Sequence, residues 1–316
     1  MPTLGTTGLE VSPIGLGLAA LGRPGYINLG HAGDVGDTHV EAMERHAHFV
    51  LDAAYADGVR YFDAARSYGR AEAFLASWLD ERGLGPDELT VGSKWGYTYT
   101  ADWRVDADVH EVKDLTAETL RRQLGETRAL LGGRLELYQI HSATAESGVL
   151  DDPAVRDELA RLRETGVCIG FTTTGPRQAD TIERALEVGG FDAVQSTWNL
   201  HERSAGPALA AAHEAGLGVI IKEAVANGRL TARGDSALLA EAARERDTTP
   251  DALALAAVVA QPWVDVVLSG ASSADMLRSN LAALDVAWDA GLDDQLAALA
   301  EPAEEYWERR SQLPWN

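Results

Sequence analysis

The chain has 316 residues, 46% of them hydrophobic, which is enough to bury a large core in one α/β barrel or in two smaller domains. Its net charge of −22, from 27 Lys and Arg against 49 Asp and Glu, argues against nucleic acid or an anionic membrane as a partner. Cys168 is the single cysteine, which excludes an intramolecular disulfide and a cysteine-built metal cage. The N-terminus has no signal pattern and no apolar run reaches the roughly 18 residues of a membrane span, so we expect a soluble, cytoplasmic protein.

The first 115 residues are predicted to contain a hairpin, three strands, two helices and two long loops. Gly5-Thr6-Thr7-Gly8 separates two short segments of alternating polarity, which predicts the hairpin over residues 3–12. The elements that follow are a strand at 14–18, a loop rich in Gly and Pro at 19–38, a helix at 39–57, a strand at 59–62, a helix at 70–82, a strand at 90–95 and a loop at 97–115.

From residue 116 onward, helices and strands alternate with short connections. Thr116 is the predicted N-cap of the first of these helices, and Pro153 belongs to the first turn of the second. The predicted elements are a helix at 116–131, a strand at 135–140, a helix at 153–165, a strand at 167–171, a helix at 177–188, a strand at 191–195, a helix at 205–215, a strand at 217–222, helices at 236–246 and 250–260, a strand at 264–268, a helix at 273–284 and a last helix near 293–310.

This alternation predicts the fold. Strands separated by helices imply right-handed parallel crossovers, and eight of them in this length favour a single (β/α)₈ barrel domain over residues 1–316. We expect the N-terminal hairpin to cap the floor of the barrel. Gly15-Leu16-Gly17-Leu18-Ala19-Ala20 fits the loose dinucleotide-binding pattern, but it opens a loop and not a helix, so we reject a Rossmann fold.

Polar side chains stand where the predicted strands end. In a (β/α)₈ barrel the active residues lie at the carboxyl ends of the strands. Asp63 and Lys94 stand at the ends of neighbouring strands and should neutralise each other, because unpaired charges there are costly. Each polar side chain alone is explained as a solvated strand end. The combination of Asp63, Tyr68, Lys94 and His141 instead indicates a functional site.

These four residues resemble the catalytic tetrad of the aldo-keto reductases: Asp63, Tyr68 in Ser-Tyr-Gly, Lys94 in Gly-Ser-Lys-Trp and His141 in Tyr-Gln-Ile-His. The similarity extends along nearly the whole chain. Its further segments are 4–12 (Leu-Gly-Thr-Thr-Gly-Leu-Glu-Val-Ser), Val194-Gln195, 226–230 (Ala-Asn-Gly-Arg-Leu) and Gly270-Ala271-Ser272 with Asn280. The resemblance implies a (β/α)₈ barrel that interconverts carbonyls and alcohols with a nicotinamide cofactor. NADP(H) is the expected form, and NAD(H) is not excluded.

The residues suit that chemistry. Hydride delivered to a carbonyl carbon leaves an alkoxide, and Tyr68 can give it a proton if the tyrosine pKa falls from about 10 towards neutrality, which requires about 4 kcal/mol of phenolate stabilisation. Lys94 in a dry pocket is the candidate for that effect. Asp63 would hold Lys94 charged and oriented, and His141 would hydrogen-bond the carbonyl oxygen. No metal is required.

The resemblance also implies the cofactor contacts. The family holds the carboxamide with a Ser-Asn pair and a Gln, and the corresponding residues here are Thr172-Thr173 and Gln195. Lys222 takes a position where many members stack an aromatic ring on the nicotinamide. Met276 replaces a Gln or Arg, which leaves Arg278 as the nearest cation for a 2′-phosphate. The remaining expected contacts are Glu223, Asn227, Gly228 and Arg229 at the pyrophosphate and Gly270, Ser272, Arg278 and Asn280 at the adenosine.

The expected partner is a small carbonyl or alcohol bound among the loops at 19–38 and 97–115 and the C-terminal tail. Trp95, directly after Lys94, and Trp103 are the favoured pocket walls, and packing in the core is the alternative for each. Nothing in the sequence specifies the compound or an oligomeric state. Two other functions stay open: a sugar 1-dehydrogenase that runs the site oxidatively, and a cofactor-binding regulatory subunit with little turnover.

Overall fold

The computed structural model describes residues 1–316, and its centre is a closed barrel of eight parallel strands. The ten strands of the chain are β1 Ile14–Gly17, β2 Tyr61–Asp63, β3 Thr90–Trp95, β4 Tyr97–Tyr99, β5 Glu111–Lys113, β6 Leu137–Ala143, β7 Cys168–Thr173, β8 Ala193–Thr197, β9 Gly218–Lys222 and β10 Val266–Ser269. Around the barrel the order is β1, β2, β3, β6, β7, β8, β9 and β10, and β10 pairs again with β1. The predicted (β/α)₈ barrel is confirmed.

The helices surround the barrel, and the main hydrophobic core lies between the two layers. Capping fixes several of their starts: Thr116 accepts from the backbone N–H of Thr119, and Asp152 caps the helix whose first turn contains Pro153. The α-helices are α1 His31–Val35, α2 Val40–Ala56, α3 Ala71–Arg82, α4 Ala117–Leu131, α5 Pro153–Arg163, α6 Gln178–Val188, α7 Gly206–Glu214, α8 Ala237–Glu245, α9 Pro250–Val259, α10 Ala274–Leu281, α11 Ala290–Leu296 and α12 Ala303–Ser311. No helix combines the length and apolar character that crossing a bilayer requires.

The N-terminal segment closes the floor of the barrel. Leu4 and Val11 are fully buried in a cluster with residues from the strands, among them Ile220 and Val266. The predicted hairpin is reduced to one antiparallel bridge between Thr3 and Glu10, because the segment turns inward to bury its apolar residues. The backbone N–H of Gly5 donates to Asp265 Oδ2 at 3.2 Å, and this hydrogen bond joins the N-terminal segment to the residue before β10.

Three predictions of local structure were wrong. The loop at 19–38 contains α1, and the loop at 97–115 contains the antiparallel pair β4–β5, since Tyr97 pairs with Lys113. Such short elements span too little sequence for a periodic signal. The single helix expected near 293–310 is two helices, α11 and α12. Pro302 stands between them at the N-cap of α12, where its lack of an N–H is harmless.

Candidate active site

The barrel brings the four tetrad candidates to one end. Asp63, Lys94 and His141 come from β2, β3 and β6, which are adjacent strands, and all three lie at the carboxyl ends. Tyr68 lies on the turn between β2 and α3. Gly69 follows it with φ of +59°, a backbone conformation that a side chain would strain.

Lys94 is the buried cation of the site. Its ammonium is ion-paired with Asp63, and the exposed fractions of the two side chains are 0% and 2%. Nζ also donates to the carbonyl of Ala64 at 3.0 Å and lies 3.4 Å from Tyr68 Oη. The expected pairing of Asp63 with Lys94 is therefore present, and it places a cation within reach of the phenol.

The second carboxylate oxygen of Asp63 is also fully engaged. Three side chains each donate to Asp63 Oδ1 at 3.2 Å, namely Tyr61, Gln139 and Gln195. Two of these partners, Tyr61 and Gln139, were not predicted. Tyr61 stands two residues before Asp63, and Gln139 stands two residues before His141. Because alternate residues of a strand face the same side, both side chains point into the barrel. Gln195 was expected to hold the cofactor carboxamide; its amide nitrogen points to Asp63, although the side chain still lines the cavity.

Tyr68 has a raised pKa in this structure. Burial, and next the negative charge of Asp63, move the pKa well above the ordinary value of 10, against the predicted direction. The predicted drop relied on the Lys94 cation in a dry pocket, with Asp63 holding that lysine charged and oriented. In the structure the same carboxylate that holds Lys94 offsets its charge, so the phenol keeps its proton.

His141 is held neutral beside the phenol. Burial, and next the Lys94 ammonium, lower the pKa of His141 well below 6.5. Its ring meets Tyr68 edge-on at 5.5 Å and Tyr97 at 5.0 Å, and Nδ1 lies 3.5 Å from Ser67 Oγ. A neutral imidazole has one N–H donor and one acceptor nitrogen, so it can donate to a substrate oxygen.

A charged cluster follows β9. Lys222 Nζ donates to Thr197 Oγ1 at 2.8 Å, and burial lowers the pKa of Lys222 to about 8. Glu223 has a left-handed backbone (φ +57°). The Nε–H of Arg310 on α12 is shared between the two carboxylate oxygens of Glu223, each at 2.9 Å, and Arg310 NH2 donates to Oε1 at 2.5 Å. Burial alone would raise the pKa of Glu223, but Arg310 and Lys222 lower it to about 2. Arg310 was not predicted, because 87 positions separate it from its partner.

One cavity of about 620 Å³ connects the tetrad with the far end of the barrel mouth. It extends from Tyr68 and His141 past Lys222 and Gly228 to Asn280. The loop at 19–38 and the C-terminal tail form its outer walls. Their lining residues include Tyr26, Ile27, Asn28 and Leu29 from the loop and Leu313 and Trp315 from the tail.

The two favoured tryptophans do not line this cavity. Trp95 is fully buried in the core between barrel and helices, because alternate residues of a strand face opposite sides and Lys94 faces inward. Trp103 packs against Phe74 and donates to the carbonyl of Thr38 at 2.7 Å. The aromatic walls are instead Tyr26, Tyr97 and Trp315.

Thr172 and Thr173 are also absent from the lining. Thr172 Oγ1 accepts from the backbone N–H of Ser142 at 2.7 Å, and Thr173 Oγ1 bonds to Ser196 Oγ at 2.7 Å. Both residues are fully buried, since β7 continues two residues beyond its predicted end. Thr174 and Ser142 line the cavity in their place.

The expected pyrophosphate and adenosine contacts divide into two groups. Five line the cavity, namely Glu223, Asn227, Gly228, Gly270 and Asn280, whereas Ser272 is buried and is not among the lining residues. Arg229 instead pairs with Glu301 and packs beside Tyr306. Arg278 is 58% exposed on the outer face of α10, where it pairs with Asp57 and Asp275.

Arg23 is a cavity residue that sequence reasoning missed. It is 3% exposed, and NH1 donates to the carbonyl of Ser67 at 3.1 Å and to Glu111 Oε2 at 3.0 Å. Its guanidinium lies 5.2 Å from the ring centre of Tyr68 and 4.7 Å from that of Trp315. No sequence pattern marks it, since it stands in a loop and its partners come from three other segments.

Comparison with known proteins agrees with this geometry. The model of the Aldo/keto reductase family matches residues 13–301, which is most of the chain. The chain belongs to the aldo/keto reductase family. It is accordingly an oxidoreductase, and the family predicted from the tetrad motifs is confirmed.

Individual relatives of this aldo/keto reductase are distant. The uncharacterized oxidoreductase YrpG of Bacillus subtilis is 24% identical, with 90% of this chain and 91% of that protein covered. The D-threo-aldose 1-dehydrogenase of a Pseudomonas species is 25% identical, with 72% and 70% covered. The aldo-keto reductase AKR11C1 of Bacillus halodurans, solved in a holo form, has a TM-score of 0.74 at 21% identity, with 97% and 98% covered, which shows that the fold is shared.

Proposed function

We propose that this aldo/keto reductase reduces a carbonyl compound to an alcohol, with Tyr68 as the proton donor. The observation that supports it most directly is the position of Tyr68 Oη, 3.4 Å from Lys94 Nζ and next to a neutral His141, at one end of the long cavity. A nicotinamide cofactor bound in that cavity would supply the hydride.

The residues along the cavity fit such a cofactor. Gly270 leaves the backbone open to the cavity, since a side-chain carbon built there would have Asn28 as its nearest contact, at 3.9 Å. Gly228 also lines the cavity, and a side-chain carbon there would lie only 3.1 Å from Leu29 Cβ. Asn227 and Asn280 offer amides beside them. Family resemblance favours NADP(H) for this site, with NAD(H) as the alternative.

The ionisation of the site favours reduction. A phenol with a raised pKa stays protonated across the physiological range and can protonate an alkoxide, which is a far stronger base. The N–H of neutral His141 would donate to the carbonyl oxygen and polarise it. The same raised pKa makes Tyr68 a poor base for removing a proton from an alcohol.

Replacement of Tyr68 tests the proposal. Tyr68→Phe removes only the hydroxyl, so we expect carbonyl reduction to fall by about 10²-fold or more while the Kd for the nicotinamide nucleotide stays within about twofold. The rate is followed by loss of reduced-nucleotide absorbance across a panel of aldehydes, ketones and aldoses. Tyr99→Phe removes a hydroxyl outside the cavity and serves as the control. Substantial turnover by the Tyr68 variant would contradict the proton-donor role.

A second candidate is oxidation of an aldose at C1. It is favoured by one relative, the D-threo-aldose 1-dehydrogenase, which aligns with 72% of the chain. Initial rates with oxidised nucleotide plus aldoses, compared with reduced nucleotide plus aldehydes at the same pH, separate the two directions. Faster aldose oxidation near neutral pH would replace the reductase proposal with the dehydrogenase.

A further inference from the structure

The chain has three lysines, and their amines lie in different surroundings. Lys94 has no exposed side-chain surface, and the carboxylate of Asp63 is its direct partner. Lys113 lies on the β4–β5 hairpin and does not line the cavity, and its Nζ donates to the carbonyl of Ser142 at 2.7 Å. Lys222, the last residue of β9, is the one lysine that lines the cavity.

The amine of Lys222 has no carboxylate as a close partner. Its single hydrogen-bond partner is the hydroxyl of Thr197, at 2.8 Å. The nearest carboxylate oxygen is Glu223 Oε1, which is 3.9 Å away and accepts from Arg310 NH2 at 2.5 Å. The negative charge of Glu223 therefore compensates mainly Arg310, and Lys222 shares little of it.

Burial favours the unprotonated form of this amine. It lowers the pKa of Lys222 to about 8; Glu223 opposes this effect, whereas Arg310 on α12 and Lys94 on β3 add to it. About a tenth of the amine is then neutral at pH 7, and about half at pH 8. The side chain is 18% exposed and lines the cavity, so a ligand can reach the nitrogen.

A neutral lysine in a cavity is a nucleophile for carbonyl compounds. Desolvation and a neighbouring cation are the conditions that activate lysines for this reaction. Lys222 meets both, because it is largely buried and the guanidinium of Arg310 lies beyond Glu223. We propose that Lys222 forms an imine with aldehydes that enter the cavity when no nucleotide is bound.

The reaction needs no oxidant or reductant. The lone pair of Lys222 Nζ attacks the carbonyl carbon, and a C–N bond forms while the π electrons move to oxygen. The two hydrogens of the amine pass to that oxygen, which leaves as water, and a C=N bond remains. Thr197 pairs with Lys222 in the barrel sheet, and its hydroxyl holds the amine in place before the attack.

The imine would compete with the nucleotide. The family resemblance places Lys222 beside the nicotinamide, so an aldehyde bound to Nζ would fill that space. This competition rests on the proposed function, whereas the imine itself requires only the amine and the cavity. The rival is that Lys222 stays protonated and only donates hydrogen bonds to a ligand.

Reductive trapping in the protein without nucleotide distinguishes the two. The probe is benzaldehyde with sodium cyanoborohydride, which adds hydride to the imine carbon and leaves a stable secondary amine, and mass spectrometry of the peptides locates it. We expect Lys222 to be labelled at least about tenfold faster than Lys113, the exposed amine in the same sample. The rate at Lys222 should rise from about pH 6 and level off above about pH 8, as the amine loses its proton.

Lys222→Arg is the matched variant, because it keeps a positive charge and removes the nucleophile. It should carry no label at this position, while Lys113 reacts as in the parent. After the reagents are removed, tryptophan fluorescence gives the Kd for NADPH and NADH. We expect the labelled parent to bind at least about tenfold more weakly than before treatment, and treated Lys222→Arg to keep the Kd that it had before treatment.

Each outcome decides a different point. Absence of label at Lys222, or labelling no faster than at Lys113, overturns the proposal. Label at Lys222 that leaves nucleotide affinity unchanged overturns the competition. Label at Lys222 in a protein that binds neither nucleotide before treatment supports the imine site and overturns the proposed function instead.

Discussion

Asp63 is a buried carboxylate whose hydrogen-bonding capacity is filled by other side chains. It is 1% exposed, and its partners are Lys94, Tyr61, Gln139 and Gln195. A buried ion pair contributes little net stability when intact, but removing one partner leaves the other charge uncompensated. Removal of the Asp63 carboxylate would therefore leave the buried ammonium of Lys94 without its counter-charge.

Asp63→Asn should lower the free energy of unfolding by about 3 kcal/mol, because the ammonium of Lys94 remains buried without its counter-charge. Denaturant unfolding at pH 7 measures the change. Asp37→Asn affects a carboxylate whose side chain is 64% exposed, and it should change stability by less than about 0.5 kcal/mol. Equal stability of the Asp63 variant and the parent would show that Lys94 finds other compensation.

Glu136, directly before β6, gives a pH dependence at the opposite end of the barrel. Burial raises its pKa from 4.5 to about 7, although Val91 donates its backbone N–H to the carboxylate. The folded state then holds a proton that the unfolded state has lost, so stability falls as the pH rises from 4.5 to 7.

Glu136→Gln removes the carboxyl group whose deprotonation lowers the stability of the folded state. We expect the variant to gain about 1 kcal/mol at pH 8 and nothing at pH 4, where both states of the parent are protonated. Urea unfolding at pH 4, 6 and 8 follows the difference. Glu183→Gln, at an exposed position within α6, should show no such trend, and a gain that does not vary with pH would contradict the explanation.

The residues that were predictable from the sequence are those with a local signal. Asp63, Lys94 and His141 stand at the ends of largely apolar strands, and a (β/α)₈ barrel brings the carboxyl ends of its strands together. Trp95 was misplaced although strand alternation turns it away from Lys94. Arg23 and Arg310 carry no such signal, because their positions depend on packing between distant segments.

At the scale of elements, the last residues tie together the loops over the cavity. Asn316 and Tyr26 exchange two backbone hydrogen bonds of 3.1 Å. Trp315 stacks on His110, beside the β4–β5 hairpin, with ring centres 3.9 Å apart and an angle of 5°. The tail thus joins the loop after β1 to the hairpin after β3.

Trp315→Ala should widen the cavity near Tyr68 and remove the stacking contact that holds the C-terminal tail to His110 beside the β4–β5 hairpin. We expect kcat/KM for an aromatic aldehyde to fall about tenfold, since the variant loses both the aromatic wall and the ordering of the loops. Trp103→Ala removes a tryptophan of the same hairpin region that does not line the cavity. An equal loss in both variants would indicate a general effect on the hairpin and not a role for the wall.

The long elements were predictable to within a few residues because capping and periodicity act locally. Thr116 and Pro153 mark helix starts by their own chemistry. The pairing of β4 with β5 depends on contacts between residues that stand 12–16 positions apart, such as Tyr97 and Lys113. The break at Pro302 was visible in the sequence, and the prediction of one helix across it overlooked the missing N–H.

At the scale of the whole molecule, the stability of the barrel depends on the packing of its floor, at the end opposite the active site. Leu4→Ala empties a fully buried position under the strands and should lower the free energy of unfolding by about 2–5 kcal/mol without changing kcat. Leu284→Ala, at a position that is 48% exposed, is the matched control for denaturant unfolding. A fall in kcat for Leu4→Ala as large as the fall expected for Tyr68→Phe would show that packing at the floor of the barrel affects the active site at the opposite end.

The contact between Gly5 and Asp265 has a consequence for biosynthesis. It joins residues 260 positions apart, and Asp265 Oδ2 also accepts from the backbone N–H of Val219 at 2.7 Å. At ordinary translation rates of about 5–20 residues per second, the partner of Gly5 emerges roughly 13 to 50 s after it. During that time the edge of β1 that pairs with β10 has no native partner, and the cluster around Leu4 lacks Val266 and Leu268. We therefore expect the nascent chain to need protection from aggregation until its final strand has been made.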